Sequence, residues 1–193
     1  MPNWCQNILT LTHTDAHELE KAVEAFKKEE LLSYFAPVPE ALKITSSPGT
    51  SDEALKALYE ANQAEYGYST WYDYCVGVWG TKWDVGGEHA FSEINDPVEG
   101  IHSISFHFDS AWAPPTGVYA FMEDKGFNVQ AYYYEGGMQF AGIYTNGNDD
   151  YYQSWGDAQG AEDQLPAELN DTFGISEMQA EWEADEAEAE ADE

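Results

Sequence analysis

Lys82 stands in Trp79-Gly80-Thr81-Lys82-Trp83-Asp84, a cation between two tryptophans with a carboxylate two residues on. A lysine in that setting can meet a ligand through its ammonium. It can also lay its stem on aromatic surface and pair with Asp84 or another acid. Trp112, in Ser110-Ala111-Trp112-Ala113-Pro114-Pro115, is the aromatic that would complete a site. A small-ligand module or enzyme built here needs a concave pocket holding Lys82, Asp84 and Trp112 together. The packing alternative is that tryptophan and glycine at this density form an aromatic core.

Other chemistries find less. His102 and His107 lie five apart in a predicted strand and so point to opposite faces, while His13 and His17 straddle a helix start. No metal is expected from them. The loop Asn146 to Asp150 is acidic but lacks the spacing and closing Glu of a calcium loop. No GxSxG occurs, and Cys5 lies in a predicted core strand. Asp84, Glu88, Asp109 and Glu135 fall near strand ends and could line a cleft, though solvated surface acids are the plainer reading. Gly86-Gly87 and Gly136-Gly137 serve turns, without the strand–loop–helix setting of a phosphate cradle. The expectation is no enzyme, no metal and no cofactor.

The charge bounds the partners. Among 193 residues, 37 carboxylates face seven lysines and no arginine, a formal −30. Such a field repels nucleic acid and anionic membrane and draws a basic protein surface. Tyr132, Tyr133 and Tyr134 could stack bases, but cations to offset phosphate repulsion are missing. The last lysine is Lys125; beyond it come 17 acids, eight of them within Glu181–Glu193. Glu181, Glu183, Asp185 and Glu186 are therefore candidate partner contacts. High-salt adaptation also makes acidic proteins, but it usually trades lysine for arginine, and acids crowded into one tail point to a local purpose. Two cysteines outside any CxxC pair, no leader-like start and no run of 18 apolar residues point to a reduced, cytoplasmic protein.

The elements that must position these residues follow from periodicity. Trp4 to Thr12 reads as a strand. Asp15 with Glu18 is a capping box opening a helix to about Glu29, with Leu19, Val23 and Phe26 on its core face. Pro37 and Pro39 predict an extended segment over Leu31 to Pro39. Thr50 with Glu53 opens a second helix through Leu55, Leu58, Tyr59 and Tyr66. Trp71 to Trp83 is aromatic on every side and expected to be mostly buried. Glu88 to Ile94 and Ile101 to Phe108 are strands. Pro114-Pro115 leads a helix carrying Val118, Phe121 and Met122. Val129 to Tyr134 and Met138 to Tyr144 form a hairpin, and Asn146-Gly147 turns into a last strand over Asp150 to Trp155.

With the insert at about 51–83 removed, the order is βαββαβ plus additions. That is the split-βαβ, ferredoxin-like plan: an α+β fold with an antiparallel sheet and helices on one face. Residues 1–156 would be the domain, and 157–193 an acidic extension. Leu165, Leu169 and Phe173 are its apolar anchors, and Ser176 with Gln179 could cap a last helix. Like charges at i, i+4, as in Glu181/Asp185, predict that the tail is largely disordered when free.

Five segments together resemble a known family. They are Met1-Pro2-Asn3-Trp4-Cys5 with Asn7, Phe35 to Pro39, Trp71 to Val85, Ser110 to Pro115 and Tyr133 to Gly142. In this order they look like the YubB-like family of phages and conjugative plasmids. The likeness spans residues 1 to about 145 and leaves the tail outside. It departs at Gly77 or Val78, where the family usually has Asn, and at Ser110-Ala111-Trp112-Ala113, where it has Thr-Ala-Trp-Ser. It implies a ferredoxin-like domain and gives no catalytic residues to carry over.

The leading expectation is a non-enzymatic accessory protein of a mobile element. It would bind a basic host protein, DNA-binding or part of host defence, by presenting carboxylates where phosphates would sit. The alternatives are the ligand module around Lys82 and a phage structural or replication accessory protein whose charge only gives solubility.

Overall fold

The alternation of apolar and polar residues in the first strand decides which side of the sheet becomes the core. In the computed structural model, which describes residues 3–45 and 53–191, β1 (Trp4–His13) buries Cys5, Asn7, Leu9 and Leu11 and turns the residues between them the other way. Asp15 then caps α1 (Ala16–Lys27), its carboxylate accepting the His17 N–H at 2.9 Å. Glu18 does not complete the box, because its carboxylate pairs with Lys21 Nζ at 2.6 Å. Leu19, Val23 and Phe26 pack on the sheet as their spacing predicts.

Leu31–Phe35 is a short helix, α2, where the prolines predict extended chain. Proline restricts itself and the residue before it, so Pro37 reaches back only to Ala36. Burial of Leu31, Leu32 and Phe35 favours the helical turn upstream. After α3 (Glu40–Lys43) comes α4 (Glu53–Tyr66), with Leu55, Leu58, Tyr59 and Tyr66 half-buried. The capping box expected from Thr50 lies outside the described residues. α5 (Trp71–Tyr74) runs straight into a π-helical turn at Cys75–Trp79.

Glu88 to Ile94 is not a regular strand. Phe91 forms an isolated bridge with Phe106, and the chain there runs antiparallel along the edge of β2 (His102–Ala111). His107 N donates to Ala90 O and Ser92 N to Ser105 O, both at 2.8 Å. The ladder breaks because the Ser92 hydroxyl, not a backbone carbonyl, accepts Ser105 N.

α6 (Thr116–Asp124) follows, then β3 (Asn128–Glu135), β4 (Phe140–Thr145) and β5 (Asn148–Gln153). Asn146 at φ 42° and Gly147 at φ 85° make the left-handed pair that a tight hairpin needs. The buried residue of α6 beside Val118 and Met122 is Tyr119, while Phe121 faces solvent. Among the described residues the strands form one antiparallel sheet in the order β2-β1-β3-β4-β5. The fold is α+β.

Helices cover both sheet faces, contrary to the single-face expectation. α1 and α6 lie over Leu9, Phe106 and Ala131. α7 (Ala158–Gln164), α8 (Ala167–Phe173) and the start of α9 (Ile175–Ala191) cover Tyr134 and Ala141 on the other. Trp155, Ala161, Leu165, Leu169 and Ile175 form this second core, so residues 157–175 pack with the body. Three apolar anchors sufficed because β3 and β4 present Tyr132, Tyr134, Ala141 and Ile143 to receive them. α9 continues as helix to Ala191, where the charge spacing predicts a disordered tail. Each like-charge pair costs only a few tenths of a kcal/mol, and Ala and Glu have high helix propensity.

Candidate functional site

The segment from Trp71 to Asp84 splits into an inward half and an outward half. Thr70 caps α5, accepting the Asp73 N–H at 3.2 Å. Gly80, at φ 87°, turns the chain out of the π-helical segment. Trp79 goes inward: its ring is buried and Nε1 donates to Ala36 O at 2.8 Å. Thr81 is buried too, its hydroxyl donating to Ala111 O at 2.9 Å. The loop lies directly on the start of α6. A Cβ on Gly117 would sit 2.1 Å from Val78 O, and one on Gly80 would sit 3.0 Å from Pro114 O. This approach brings the two sequence motifs together.

Lys82 and Trp83 go outward. Lys82 Nζ lies 4.5 Å from the Trp83 ring centroid, 5.3 Å from that of Trp112 and 5.8 Å from that of Tyr72. Trp4 packs beside Trp83 with centroids 6.0 Å apart. Trp4, Trp83 and Trp112 are 49%, 41% and 42% exposed, so the expectation of a mostly buried aromatic segment fails on this side. Trp112 holds its place through a left-handed backbone, φ 70°, and its N–H donates to Asn3 O at 2.9 Å. A bulky residue in that region carries strain of about 1–3 kcal/mol.

Asp84 turns away from this cluster. Its carboxylate accepts the N–H groups of Leu32 at 2.6 Å and of Ser33 and Val85 at 2.9 Å. It therefore caps α2, which has no capping side chain of its own. Burial raises its pKa, and these hydrogen bonds pull the other way. A cleft of about 410 Å³ is lined by Trp79, Lys82, Trp83 and Asp84 among others, while Trp112 lies outside it. The pocket expected to join Lys82, Asp84 and Trp112 is thus divided. Trp112 meets Lys82 outside that cleft, and the oxygens of Asp84 are already occupied by backbone amides.

Of the other acids considered, Glu135 is buried and holds the β3–β4 turn, accepting Gly137 N at 2.9 Å and Met138 N at 2.7 Å. Glu88 and Asp109 are exposed. Burial pushes the thiols of Cys5 and Cys75 up to about 12.

The acidic candidates lie on α9. Glu181, Glu183, Asp185 and Glu186 are exposed, and Glu183 also accepts Ala158 N at 2.9 Å at the start of α7. Between them stands Trp182, 63% exposed, one turn beyond Met178 at 40%. The two, with Tyr134 and the turn glycines Gly136 and Gly137, line a cleft of about 270 Å³. The site residues that sequence reasoning passed over are Trp4, Tyr72, Met178 and Trp182. Trp182 had a visible signal, a lone large ring in a run of Ala, Glu and Asp. Tyr72 and Trp4 had none, because only the fold brings them to Lys82.

No family model matches the chain, and no curated protein matches it significantly. Among solved structures it is similar to the protein Api92 from Yersinia pseudotuberculosis, described under the family model DUF1281. The TM-score is 0.39 and the identity 11%, over 80% of this chain and 98% of that one. Similarity at that level says nothing of what this chain does.

Proposed function

We propose that the protein is a non-enzymatic interaction module that takes a basic protein partner on α9 and the neighbouring β3–β4 turn. The observation that carries this reading is Trp182. It is 63% exposed on a helix whose other exposed residues include Glu181, Glu183, Asp185, Glu186 and Glu188. A large ring left in water beside an apolar cleft and ringed by like charges has the make-up of an interface anchor with a charged rim. The apolar stripe of α9 begins as core at Ile175 and continues outward through Met178 and Trp182. A partner that covers it gains apolar burial, and its cations meet the carboxylates. The carboxylates would steer the encounter and make it sensitive to salt.

A split-βαβ, ferredoxin-like frame is part of the same reading. What supports it is the spatial order: the edge segment at Phe91, then β2, β1 and β3, with α1 and α6 on one face. β4 and β5 then extend the sheet, and α7 and α8 cover its second face. The YubB-like resemblance adds a phage or plasmid setting and host cytoplasm. It makes a DNA-binding or defence protein the natural basic target, met by carboxylates in place of phosphates.

The test is a pull-down from host lysate at low and high salt with three proteins: the full chain, Trp182→Ala, and a chain ending at Gly174. The expected result is a discrete basic protein retained by the full chain at low salt and released at high salt. Trp182→Ala, with unchanged charge, should lose most of it. Equal retention by all three proteins, or a complex that survives molar salt, would overturn the reading.

A further inference from the structure

We propose that Tyr72, Trp83 and Trp112 form a cage for a quaternary or methylated ammonium group, and that Lys82 fills this cage from within until such a ligand displaces it. The proposal is independent of α9 and stands on the Lys82 cluster alone.

The first observation is the company Lys82 keeps. Lys21, Lys27, Lys43 and Lys56 each pair with a glutamate three residues earlier, at 2.5–3.1 Å. Lys82, like Lys28 and Lys125, makes no ion pair among the described residues, in a chain with 37 acids. Its ammonium lies instead within 6 Å of three ring centroids, at 4.5, 5.3 and 5.8 Å. Lys27 and Lys125 each lie over one ring, so the threefold arrangement is particular to Lys82. A cation within about 6 Å of an aromatic face is attracted by the ring quadrupole, and grouped rings are how proteins recognise quaternary ammonium groups.

The second observation is preorganisation. Trp112 is held by a left-handed backbone whose N–H is tied to Asn3 O. Trp83 packs against Trp4, and Tyr72 meets Trp112 with centroids 6.4 Å apart. Trp83 and Trp112 are nonetheless about two-fifths exposed, so the rings stand in place and open to solvent. Strain retained at an exposed tryptophan is unexpected in a purely structural corner.

The rings prefer a methylated ammonium to the lysine's own. A lysine ammonium is compact and strongly hydrated. Methylation spreads the charge, weakens hydration and adds methyl surface that rests on the rings. A methylated ammonium therefore gives up its water more readily for the cage. The net charge of the chain raises the local concentration of any cation. Against this, Lys82 is tethered and competes at the high effective concentration of an intramolecular group. In the wild type the ligand must displace it, so apparent affinity falls by the fraction of cages left open.

The experiment titrates wild type, Lys82→Ala and Lys82→Gln with tetramethylammonium chloride, following tryptophan fluorescence against sodium chloride at equal concentration. tert-Butanol serves as the neutral analogue. Each variant is first shown to keep the thermal transition of the wild type. Both lysine variants should bind tetramethylammonium roughly tenfold more tightly than wild type. tert-Butanol should give no saturable change. Trp83→Ala added to Lys82→Ala should remove the binding. Choline and a peptide carrying trimethyl-lysine then separate a free small molecule from a side chain on a protein, the tighter of the two naming the source. The proposal is overturned if the lysine variants bind no better than wild type, if tert-butanol binds as well as the cation, or if Trp83→Ala leaves binding unchanged.

Discussion

The carboxylate of Asp84 accepts the backbone N–H of Leu32 at 2.6 Å, across 52 residues of chain. With Ser33 and Val85 it satisfies three amides, and it holds the start of α2 against the loop that carries Lys82. Asp84→Ala removes all three acceptors at once. The expected loss is roughly 2–3 kcal/mol, read as a lower urea midpoint with unchanged slope. Asp84→Asn keeps one acceptor oxygen but turns an NH2 group toward an amide donor, so it should fall between wild type and Ala. A midpoint for Asp84→Ala equal to that of wild type would show that α2 forms without this cap.

Gly117 makes a second prediction, about how the two motifs meet. Any Cβ there would sit 2.1 Å from Val78 O, a backbone atom that cannot step aside alone. Gly117→Ala should therefore cost about 1–3 kcal/mol by pushing α6 from the π-helical turn. Gly87→Ala is the control, since its Cβ would meet only Ala90 Cβ at 3.7 Å and Phe26 Cε1 at 3.9 Å. It should change stability by no more than about 0.5 kcal/mol. Equal urea midpoints for the two variants would mean that the close approach at Gly117 is not maintained in solution.

The thiols give a chemical readout of the core. Cys5 is 0% and Cys75 2% exposed, and burial holds both thiols up near 12. At pH 8 almost none of either is thiolate, the form that attacks disulfide reagents. Ellman's reagent should find essentially no reactive thiol in the native protein over minutes and both after unfolding in guanidinium. Rapid native labelling of one would place that strand or turn in local exchange with an open state.

Alkaline pH should weaken the fold through the sheet tyrosines. Burial, followed by a hydrogen bond to a carboxylate, pushes Tyr132 and Tyr144 up to about 12; the partners are Glu168 and Glu123. The folded state thus favours the neutral phenol. Its contribution is complete below the ordinary value of 10.0 and is lost as pH rises through about 12. The urea midpoint should stay flat below about pH 9, begin to fall as the two buried thiols, whose ordinary value is 9.0, ionise on unfolding, and fall more steeply between pH 10 and 12 as the tyrosines join them. Tyr144→Phe should flatten part of that decline; an unchanged slope in this variant would remove Tyr144 from the account.

Much of the frame was legible because local rules and tertiary demand agree. The period-two pattern of Trp4 to Thr12, the cap at Asp15 and the Asn146-Gly147 turn each specify their element from short-range sterics and burial. Where they disagree, the residues show why. Leu31 to Phe35 helps close a core that its neighbouring prolines say nothing about. Glu88 to Ile94 has strand composition, yet the Ser92 hydroxyl takes a ladder hydrogen bond. Leu165 and Leu169 look sparse until β3 and β4 supply the other half of their contacts.

The sequence alone determined the charge, its concentration after Lys125 and the existence of an aromatic segment around Lys82, because these are properties of composition and order. Tertiary structure alone decided what that segment does with its residues. It turned Trp79 and Thr81 inward, assigned Asp84 to the amides of α2, and carried Tyr72 and Trp112 to the ammonium of Lys82. No spacing rule could do this. Tyr72 is ten positions from Lys82 and Trp112 is 30, and they meet because Gly80 turns the chain at φ 87° and Gly117 lets two backbones come closer than a side chain would allow.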